Sequence, residues 1–499
     1  MQRVMGTLPF SPYILIAALV SILLFVFTTD ASEIVEKPFR FPILGEEGYE
    51  TAATSAGAEP TIEDLGHFAG YVTLSGNTNK RCERTVIFDS ARHIRLEIVR
   101  FEILLGVQSI FYYRIQSKTK NKNGPLMLFL NGGSGVSGSV AMYYGIGPYL
   151  LNNASTLVNN EFGWDSVADL LILDQPSGTG FSIPTKDDDI PTTTEKAVID
   201  LYDFLKTFFQ KHAELANNEL FLAGQGYAGH FLPSLATRIV QGNEKNEFQI
   251  KLKSILIGNP WMNGAVQFAS YPAYAREMKL ISSAQYTQTM KDAFSGCQRQ
   301  AQKACNGPKR DLKACTEVNA GCNDILWESI ITPAGKINYY DIDLKSCVGS
   351  LCYDFSILEN FLNQASVKEA LGVEPNAKFV TWSARVNNSM AGDVMRDLTH
   401  VIPALLERGI KIVVYAGIND FIVNPTGIWD VISGIKWSGQ GSFSPYRSLK
   451  VDGVKDAGKL RSSGPLTFVV VNNAGHVVPM SQPAVALAIV NRLTKGIPI

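Results

Sequence analysis

Residues 220–230 read Leu-Phe-Leu-Ala-Gly-Gln-Gly-Tyr-Ala-Gly-His, and this stretch decides the fold. An apolar run ends in a glycine-rich turn, and a helical pattern follows the turn. Gly224, Gly226 and Gly229 supply the small residues that a sharp strand-to-helix turn requires. The stretch therefore has the shape of a nucleophile elbow, but Gly226 stands where a serine hydroxyl would attack.

Short apolar runs of the same kind recur along the chain, at residues 126–130, 170–173, 255–257, 412–415 and 468–471. Continuous apolar runs that end in turn residues predict strands buried on both faces, as in a parallel sheet. Between two of these runs, residues 195–212 carry Val198, Leu201, Leu205 and Phe208 at helical spacing. Strands that alternate with helices predict the α/β class.

Two polar residues follow later strands of the predicted sheet. Asp420 comes just after the run that ends at Gly417, and His476 comes just after the run that ends at Val471. Each of these residues taken alone could be an ordinary structural aspartate or a buried histidine. Elbow, acid and histidine nevertheless occur in the chain order of an α/β-hydrolase triad, each just past the carboxyl end of a strand.

Composition restricts the class of protein and of partner. The 499 residues include 46 acidic and 45 basic side chains, and the net charge is −1, so a nucleic acid partner is not expected. Hydrophobic residues make up 46% and charged residues 18% of the chain, which indicates a large buried core. We expect a globular protein that needs no metal and no cofactor.

The N-terminal residues resemble a targeting segment. Arg3 precedes a mostly apolar run from Tyr13 to Phe27, so we expect residues 1–31 to be a cleaved secretory signal. An uncleaved anchor is the alternative, but about 15 apolar residues are few for a span that needs about 20, and no stable membrane anchor is expected after cleavage. Residues 32–62 lack periodicity and predict a poorly ordered linker or propeptide, and residues 63–499 form the main domain.

Six of the seven cysteines lie in one short stretch: Cys297, Cys305, Cys315, Cys322, Cys347 and Cys352. No histidine lies between the first and the last, so disulfides are favoured over a zinc site. The same stretch lies within residues 262–395, where the strand pattern is interrupted. We interpret this segment as a cap over the carboxyl edge of the sheet, the edge where such sheets bind ligands; a remote decorative domain is the alternative.

The chain resembles the serine carboxypeptidases, in particular the plant members similar to carboxypeptidase Y, from about Glu63 onward. Five ordered blocks carry the resemblance: residues 125–133, 173–176, 224–233, 415–424 and 475–479. The resemblance implies an α/β-hydrolase fold with a mostly parallel central sheet, and removal of C-terminal residues from peptides. It also implies that Asp420 and His476 are catalytic and that the backbone N–H groups of Gly133 and Tyr227 form the oxyanion hole.

The departures from the family fall on the same site. The family's elbow has Glu-Ser where this chain has Gln225-Gly226, and a second family glutamate is Gly145 here. The resemblance assigns the substrate's carboxylate to Asn131, Gly132, Gln225 and Gly145, but both carboxylates that would share protons with it are missing. The pocket is expected to persist without its chemistry.

The resemblance also implies the disulfides Cys297–Cys322, Cys305–Cys315 and Cys347–Cys352. A further family bridge joins the positions of Val136 and Trp382, which we therefore expect to lie in contact. Residues 82–109, which include the unpaired Cys82, fit nothing in the family. They are either a surface insertion or retained non-coding material.

Three interpretations of function follow. The first is a catalytically inactive carboxypeptidase-like protein of the secretory pathway, extracellular or in a vacuolar or lysosomal lumen. It binds a peptide C-terminus or a protein partner, or it has only a structural role. The second is a carboxypeptidase or acyl-transfer enzyme with another nucleophile, for which Ser134, Ser137 and Ser177 are candidates. The third is a pseudogene product. A secretory route would make Asn153 and Asn387 glycan sites, and the sequence leaves the ligand and oligomeric state open.

Overall fold

The protein is represented by a computed structural model that describes residues 34–39, 67–74, 108–153, 156–308 and 310–499. Its strands are Ile34–Pro38 (β1), His67–Thr73 (β2), Ser109–Ile115 (β3), Leu126–Leu130 (β4), Tyr149–Asn153 (β5), Thr156–Asn159 (β6), Asp169–Leu173 (β7), Leu220–Gln225 (β8), Leu252–Gly258 (β9), Lys411–Gly417 (β10), Arg447–Ser448 (β11), Gly458–Ser463 (β12) and Leu466–Val471 (β13). Every strand predicted from an apolar run is among them.

One large mixed sheet organises the described residues, in the order β1-β2-β3-β7-β4-β8-β9-β10-β13-β12-β11, and β5 and β6 form a separate hairpin. The six central strands are all parallel to one another; they are β7, β4, β8, β9, β10 and β13. Parallel pairing brings their carboxyl ends to one edge, which is where the elbow, Asp420 and His476 follow.

These six strands form the parallel central sheet that was predicted, and antiparallel strands extend it on both sides. β1, β2 and β3 are antiparallel on one side, and β12 and β11 on the other. β12 and β13 are separated by Gly464 and Pro465 only, a connection that permits a hairpin and not a parallel crossover.

Two predicted boundaries also need correction. The predicted linker contains β1, which pairs with β2 from Ile34↔Val72 to Pro38↔Phe68, and Phe39 after it is buried. The predicted insertion ends at Ser109, yet Ser109 begins β3 and pairs with Thr73. The rest of that insertion and the predicted signal lie outside the described residues. No helix in the described ranges is long and apolar enough to cross a membrane.

The helices are Gly138–Tyr144 (α1), Thr194–Lys211 (α2), Ala228–Glu244 (α3), Gly264–Glu277 (α4), Gln288–Cys305 (α5), Leu312–Leu326 (α6), Thr332–Ala334 (α7), Ser356–Leu362 (α8), Ala365–Ala370 (α9), Ala384–Ser389 (α10), Ile402–Glu407 (α11), Pro425–Gly434 (α12), Val478–Ser481 (α13) and Pro483–Thr494 (α14), with a π-helical turn at Trp327–Ile331 after α6. The predicted helix at 195–212 is α2, which Thr193 caps by accepting a hydrogen bond from the Lys196 N–H.

The sheet separates two hydrophobic cores. Along β4, Leu126, Leu128 and Leu130 face the core that contains α2 and α3, whereas Met127 and Phe129 face the core that contains α1 and α14. This alternation is the period of two expected of a strand, with both faces apolar because helices cover both. The α/β-hydrolase class predicted from the sequence is confirmed.

Candidate active site

The elbow is a sharp turn between β8 and α3. Gly226, the residue at its apex, has a φ of +61°, a region that glycine populates freely and other residues rarely adopt. A Cβ on Gly224 would lie 2.4 Å from the Leu130 carbonyl oxygen, and a Cβ on Gly229 would lie 2.5 Å from that of Trp261. Gly224 and Gly229 therefore leave no room for a side chain, and Gly226 has a backbone conformation that glycine favours.

His476 and Asp420 are brought together at the same edge. His476 Nδ1 lies 2.7 Å from Asp420 Oδ2, and Asp420 is fully buried. The Val423 N–H donates to Asp420 Oδ1 at 3.0 Å. The carboxylate is thus fixed behind the imidazole, which is the arrangement that orients a histidine base in a triad.

Two further residues hold this pair, and the sequence reasoning missed both. Asn259 follows β9 and donates from Nδ2 to Asp420 Oδ2 at 2.8 Å. The Tyr340 carbonyl accepts a 2.7 Å bond from the His476 N–H, and the two rings lie with centroids 5.0 Å apart. Asn259 lies just past a strand, and this position could have indicated its role in the site. Tyr340 lies in the predicted cap, where the sequence carries no comparable signal.

Gly226 lies against the free side of the imidazole. A Cβ built on Gly226 would lie 3.0 Å from His476 Nε2 and 3.8 Å from the Gly132 Cα. A side chain at this position would therefore meet the nitrogen that acts as base in a hydrolase triad. Glycine offers no hydroxyl there.

The predicted oxyanion-hole residues flank the same point. Gly132 lies against the elbow, because a Cβ on it would be 2.3 Å from the Tyr227 nitrogen. Gly133 and Tyr227 both line the cavity beside Gly226. The Tyr227 hydroxyl, which the sequence did not single out, donates to the buried Asp393 at 2.8 Å.

A cavity of about 310 Å³ opens above the elbow between the sheet and the cap. Its wall is rich in aromatic residues: Tyr227, Trp261, Phe268, Tyr271, Trp327, Tyr339, Tyr340, Tyr353 and Phe355. Asn319, Asn323 and Leu326 of α6 line the same cavity as Gly226 and His476. Because α6 belongs to the segment that was interpreted as a cap, this segment lies over the carboxyl edge of the sheet.

The residues expected to hold a substrate carboxylate are only partly together. Asn131, Gly132 and Gln225 line the cavity, whereas Gly145, at the end of α1, is absent from the described wall. A Cβ on Gly145 would meet Pro479 at 3.3 Å. Asn131 donates from Nδ2 to the Ser137 carbonyl at 2.5 Å, so this amide is engaged with its own loop.

The serines considered as alternative nucleophiles are buried. Ser134, Ser137 and Ser177 are completely inaccessible, and Ser137 Oγ donates to Asp174 at 2.5 Å. None of them lines the cavity, and in the described residues its wall contains no serine, threonine or cysteine. A serine, threonine or cysteine nucleophile is therefore missing from the described wall.

The cap is stabilised by the disulfides that the resemblance implies. Cys297–Cys322 and Cys305–Cys315 tie α5 to α6, and Cys347–Cys352 closes a short loop. Val136 and Trp382, the expected site of a lost bridge, form an isolated antiparallel bridge. Their expected contact is confirmed.

The two sequons differ in setting. Asn153 ends β5, whereas Asn387 lies in α10 and lines the cavity, a placement that the sequence did not indicate. In the described residues no group of three or more histidine, cysteine, aspartate or glutamate side chains could hold a metal ion.

Comparisons with known proteins match both sheet and cap. The family model described as serine carboxypeptidase matches residues 106–496. Serine carboxypeptidase-like 48 of Arabidopsis thaliana is 38% identical over 94% of this chain and 86% of its own length. Serine carboxypeptidase 3 of Oryza sativa subsp. japonica is 39% identical over 90% of this chain and 83% of its own.

A solved structure matches as well. The crystal structure of Kex1, described as a prohormone-processing carboxypeptidase from Saccharomyces cerevisiae, aligns with a TM-score of 0.72 and 26% identity. The alignment covers 86% of this chain and 91% of that one. The similarity therefore extends over nearly all of the described residues.

Proposed function

Because this chain belongs to the serine carboxypeptidase family, we propose that it is a member without peptidase turnover that retains a ligand-binding cavity. Its ligand is a peptide, entering by its C-terminal end, or a segment of a protein partner. It forms no acyl-enzyme, since the elbow has no side chain to carry the acyl group.

One observation carries this proposal: the position of a Cβ on Gly226, 3.0 Å from His476 Nε2. At that distance, a hydroxyl on residue 226 would be the group that His476 deprotonates, and glycine has no hydroxyl. Triad members act as a unit, so loss of the nucleophile alone costs roughly 10⁶-fold in kcat. The intact contact between His476 and Asp420 does not replace it.

An enzyme with another nucleophile is the weaker candidate. The retained pair of His476 and Asp420 could in principle activate a different hydroxyl, for hydrolysis or acyl transfer. Ser134, Ser137 and Ser177 are all buried away from the cavity. Each would need a rearranged loop before it could reach a bound substrate.

The proposed location is the lumen of the secretory pathway, a vacuole or lysosome, or the cell exterior. The N-terminal apolar run and the three disulfides support it, because disulfides persist in oxidising compartments. Within that route the sequons at Asn153 and Asn387 are accessible to glycosylation during synthesis.

The test is activity-based labelling of the purified full chain with a fluorophosphonate, together with a panel of blocked dipeptides at about pH 4 to 8. We expect no covalent label and no released amino acid. A chain inactivated by heat serves as the control for nonspecific labelling. Stoichiometric labelling that heating abolishes, or steady release of the C-terminal residue, would show that the protein is an enzyme.

A further inference from the structure

The cavity wall is almost free of ionised groups. In the ranges that the structure describes, it contains no aspartate, glutamate, lysine or arginine. Burial raises the pKa of the wall phenols Tyr271, Tyr340 and Tyr353, so these hydroxyls stay neutral. The remaining polar wall is made of amides, backbone groups and His476.

The charges just behind this wall are acidic. Asp420 contacts His476 Nδ1 at 2.7 Å and is fully buried behind it. Asp341 lies behind the histidine loop, because a Cβ on Gly475 would be 2.5 Å from the Asp341 Cβ. The described wall contains no lysine or arginine that would offset a negative charge brought into the cavity.

The amides offer neutral hydrogen-bonding partners on two sides of the cavity. Asn319 and Asn323 lie one turn apart on α6, and Asn323 Nδ2 donates to Asn319 Oδ1 at 3.3 Å. Gln225 lies on the sheet side. Amides both donate and accept, which suits the peptide, amide or hydroxyl groups of an uncharged ligand.

We propose that this cavity selects uncharged ligands that carry aromatic or large aliphatic groups, and that it discriminates against a free carboxylate. The proposal rests on the proposed function, because it concerns what a cavity without turnover retains. Aromatic walls favour apolar groups, whereas an ion moved out of water without a partner is strongly disfavoured. A peptide would enter in a form whose terminus is neutral.

A matched ligand pair tests the selection. N-benzyloxycarbonyl-Phe-Leu-amide and the corresponding free acid differ only in the charge of the terminus, and their binding to the full chain is measured by calorimetry at pH 7.5. We expect the amide to bind at least about 10-fold more tightly than the acid. Equal affinities, tighter binding of the acid, or no binding of the amide at 1 mM would overturn the proposal.

A charge added to the wall gives an independent arm. Asn323→Lys places a cation in the wall, and it should narrow or reverse the preference for the amide. Ala320→Lys adds the same charge to an exposed position of the same helix and should leave the preference unchanged. An unchanged preference in Asn323→Lys would contradict the electrostatic argument.

The same samples separate this proposal from the proposed function. Release of leucine from the acid would refute the absence of turnover, whatever the ratio of affinities. Tighter binding of the acid without release of leucine would refute the selection alone.

Discussion

Gly226 has a backbone conformation that a serine could adopt only with strain, and it has no side chain beside His476. Its φ of +61° lies in the left-handed region. A Cβ added to it would lie 3.0 Å from His476 Nε2. A residue with a Cβ in this region costs of order 1 to 3 kcal/mol. Glycine therefore removes the nucleophile and relieves the turn at once.

Gly226→Ser is expected to lower the free energy of unfolding by about 1 to 3 kcal/mol and to restore little carboxypeptidase activity. Gln225 and Gly145 still lack the family's carboxylates, and misplaced substrate alone can cost about 10²-fold in rate. Thermal unfolding and release of leucine from a blocked dipeptide acid measure the two effects.

Gly409→Ser is the matched control, since Gly409 has a φ of +74° and no neighbour within 4 Å of a Cβ. It isolates the backbone cost from any contact with His476. Adding Gly145→Glu and Gln225→Glu to Gly226→Ser should raise the rate about 100-fold over the single variant. A single variant as stable as the natural protein and as active as the triple one would contradict both parts.

The sequence indicated the residues of the candidate site that follow strands directly. Gly226, Asp420 and His476 each stand just past a strand, and parallel strands end at one edge, so their meeting could be inferred. Asn259 was within reach of the same argument. Asp393 was not, because it meets Tyr227 through the packing of a segment 166 residues away along the chain.

At the scale of elements, a short ladder joins the loop after β4 to the segment before α10. The Ser137 N–H donates to the Thr381 carbonyl at 3.0 Å, and the Ser383 N–H to the Gly135 carbonyl at 2.8 Å. Val136 and Trp382 are the pair between these bonds. Such a non-hydrogen-bonded antiparallel pair has Cα atoms about 4.5 Å apart, within the range of a disulfide.

The double variant Val136→Cys, Trp382→Cys is therefore expected to form a disulfide during oxidative folding. The bond would close a loop of about 245 residues, which contributes roughly 5 to 6 kcal/mol in the chain-entropy model. The comparison is with Val136→Ser, Trp382→Ser, which loses the same side chains without forming the bond. Two free thiols by mass spectrometry, or equal unfolding free energies, would refute this account of the paired replacement.

The pattern of apolar residues explains which strands could be predicted. Buried parallel strands such as β4 and β8 are continuous apolar runs and were found. β1 and β2 lack such a run, because they lie toward one side of the sheet with antiparallel neighbours and mix small and polar residues with apolar ones. Their pairing depends on contacts far apart in sequence, which periodicity does not report.

At the scale of the whole molecule, Asp393 joins the cap to the sheet layers. Its Oδ2 accepts from the Thr194 N–H at 3.1 Å at the start of α2 and from the Tyr227 hydroxyl at 2.8 Å at the elbow. Its Oδ1 accepts from Arg396, and His230 Nδ1 of α3 lies 3.5 Å from Oδ2. One buried carboxylate of the cap thus contacts Arg396, both helices of one face and the residue after Gly226.

Asp393→Asn is expected to destabilise the protein by about 2 to 3 kcal/mol, since Arg396 loses its buried charged partner and keeps only the half-exposed Glu195. Burial alone would raise the pKa of Asp393, but His230, Arg396 and Thr194 together lower it below its usual range. Because the folded-state pKa lies below the unfolded one, the carboxylate contributes stability above about pH 4, and this contribution is lost as the pH falls. The loss of unfolding free energy in Asp393→Asn, measured by chemical unfolding, should therefore shrink in acid.

Glu219→Gln is the control, because it breaks the exposed ion pair with Lys253 and should change the free energy of unfolding by less than about 1 kcal/mol. If Asp393→Asn loses no more than this, the carboxylate does not hold the cap in place.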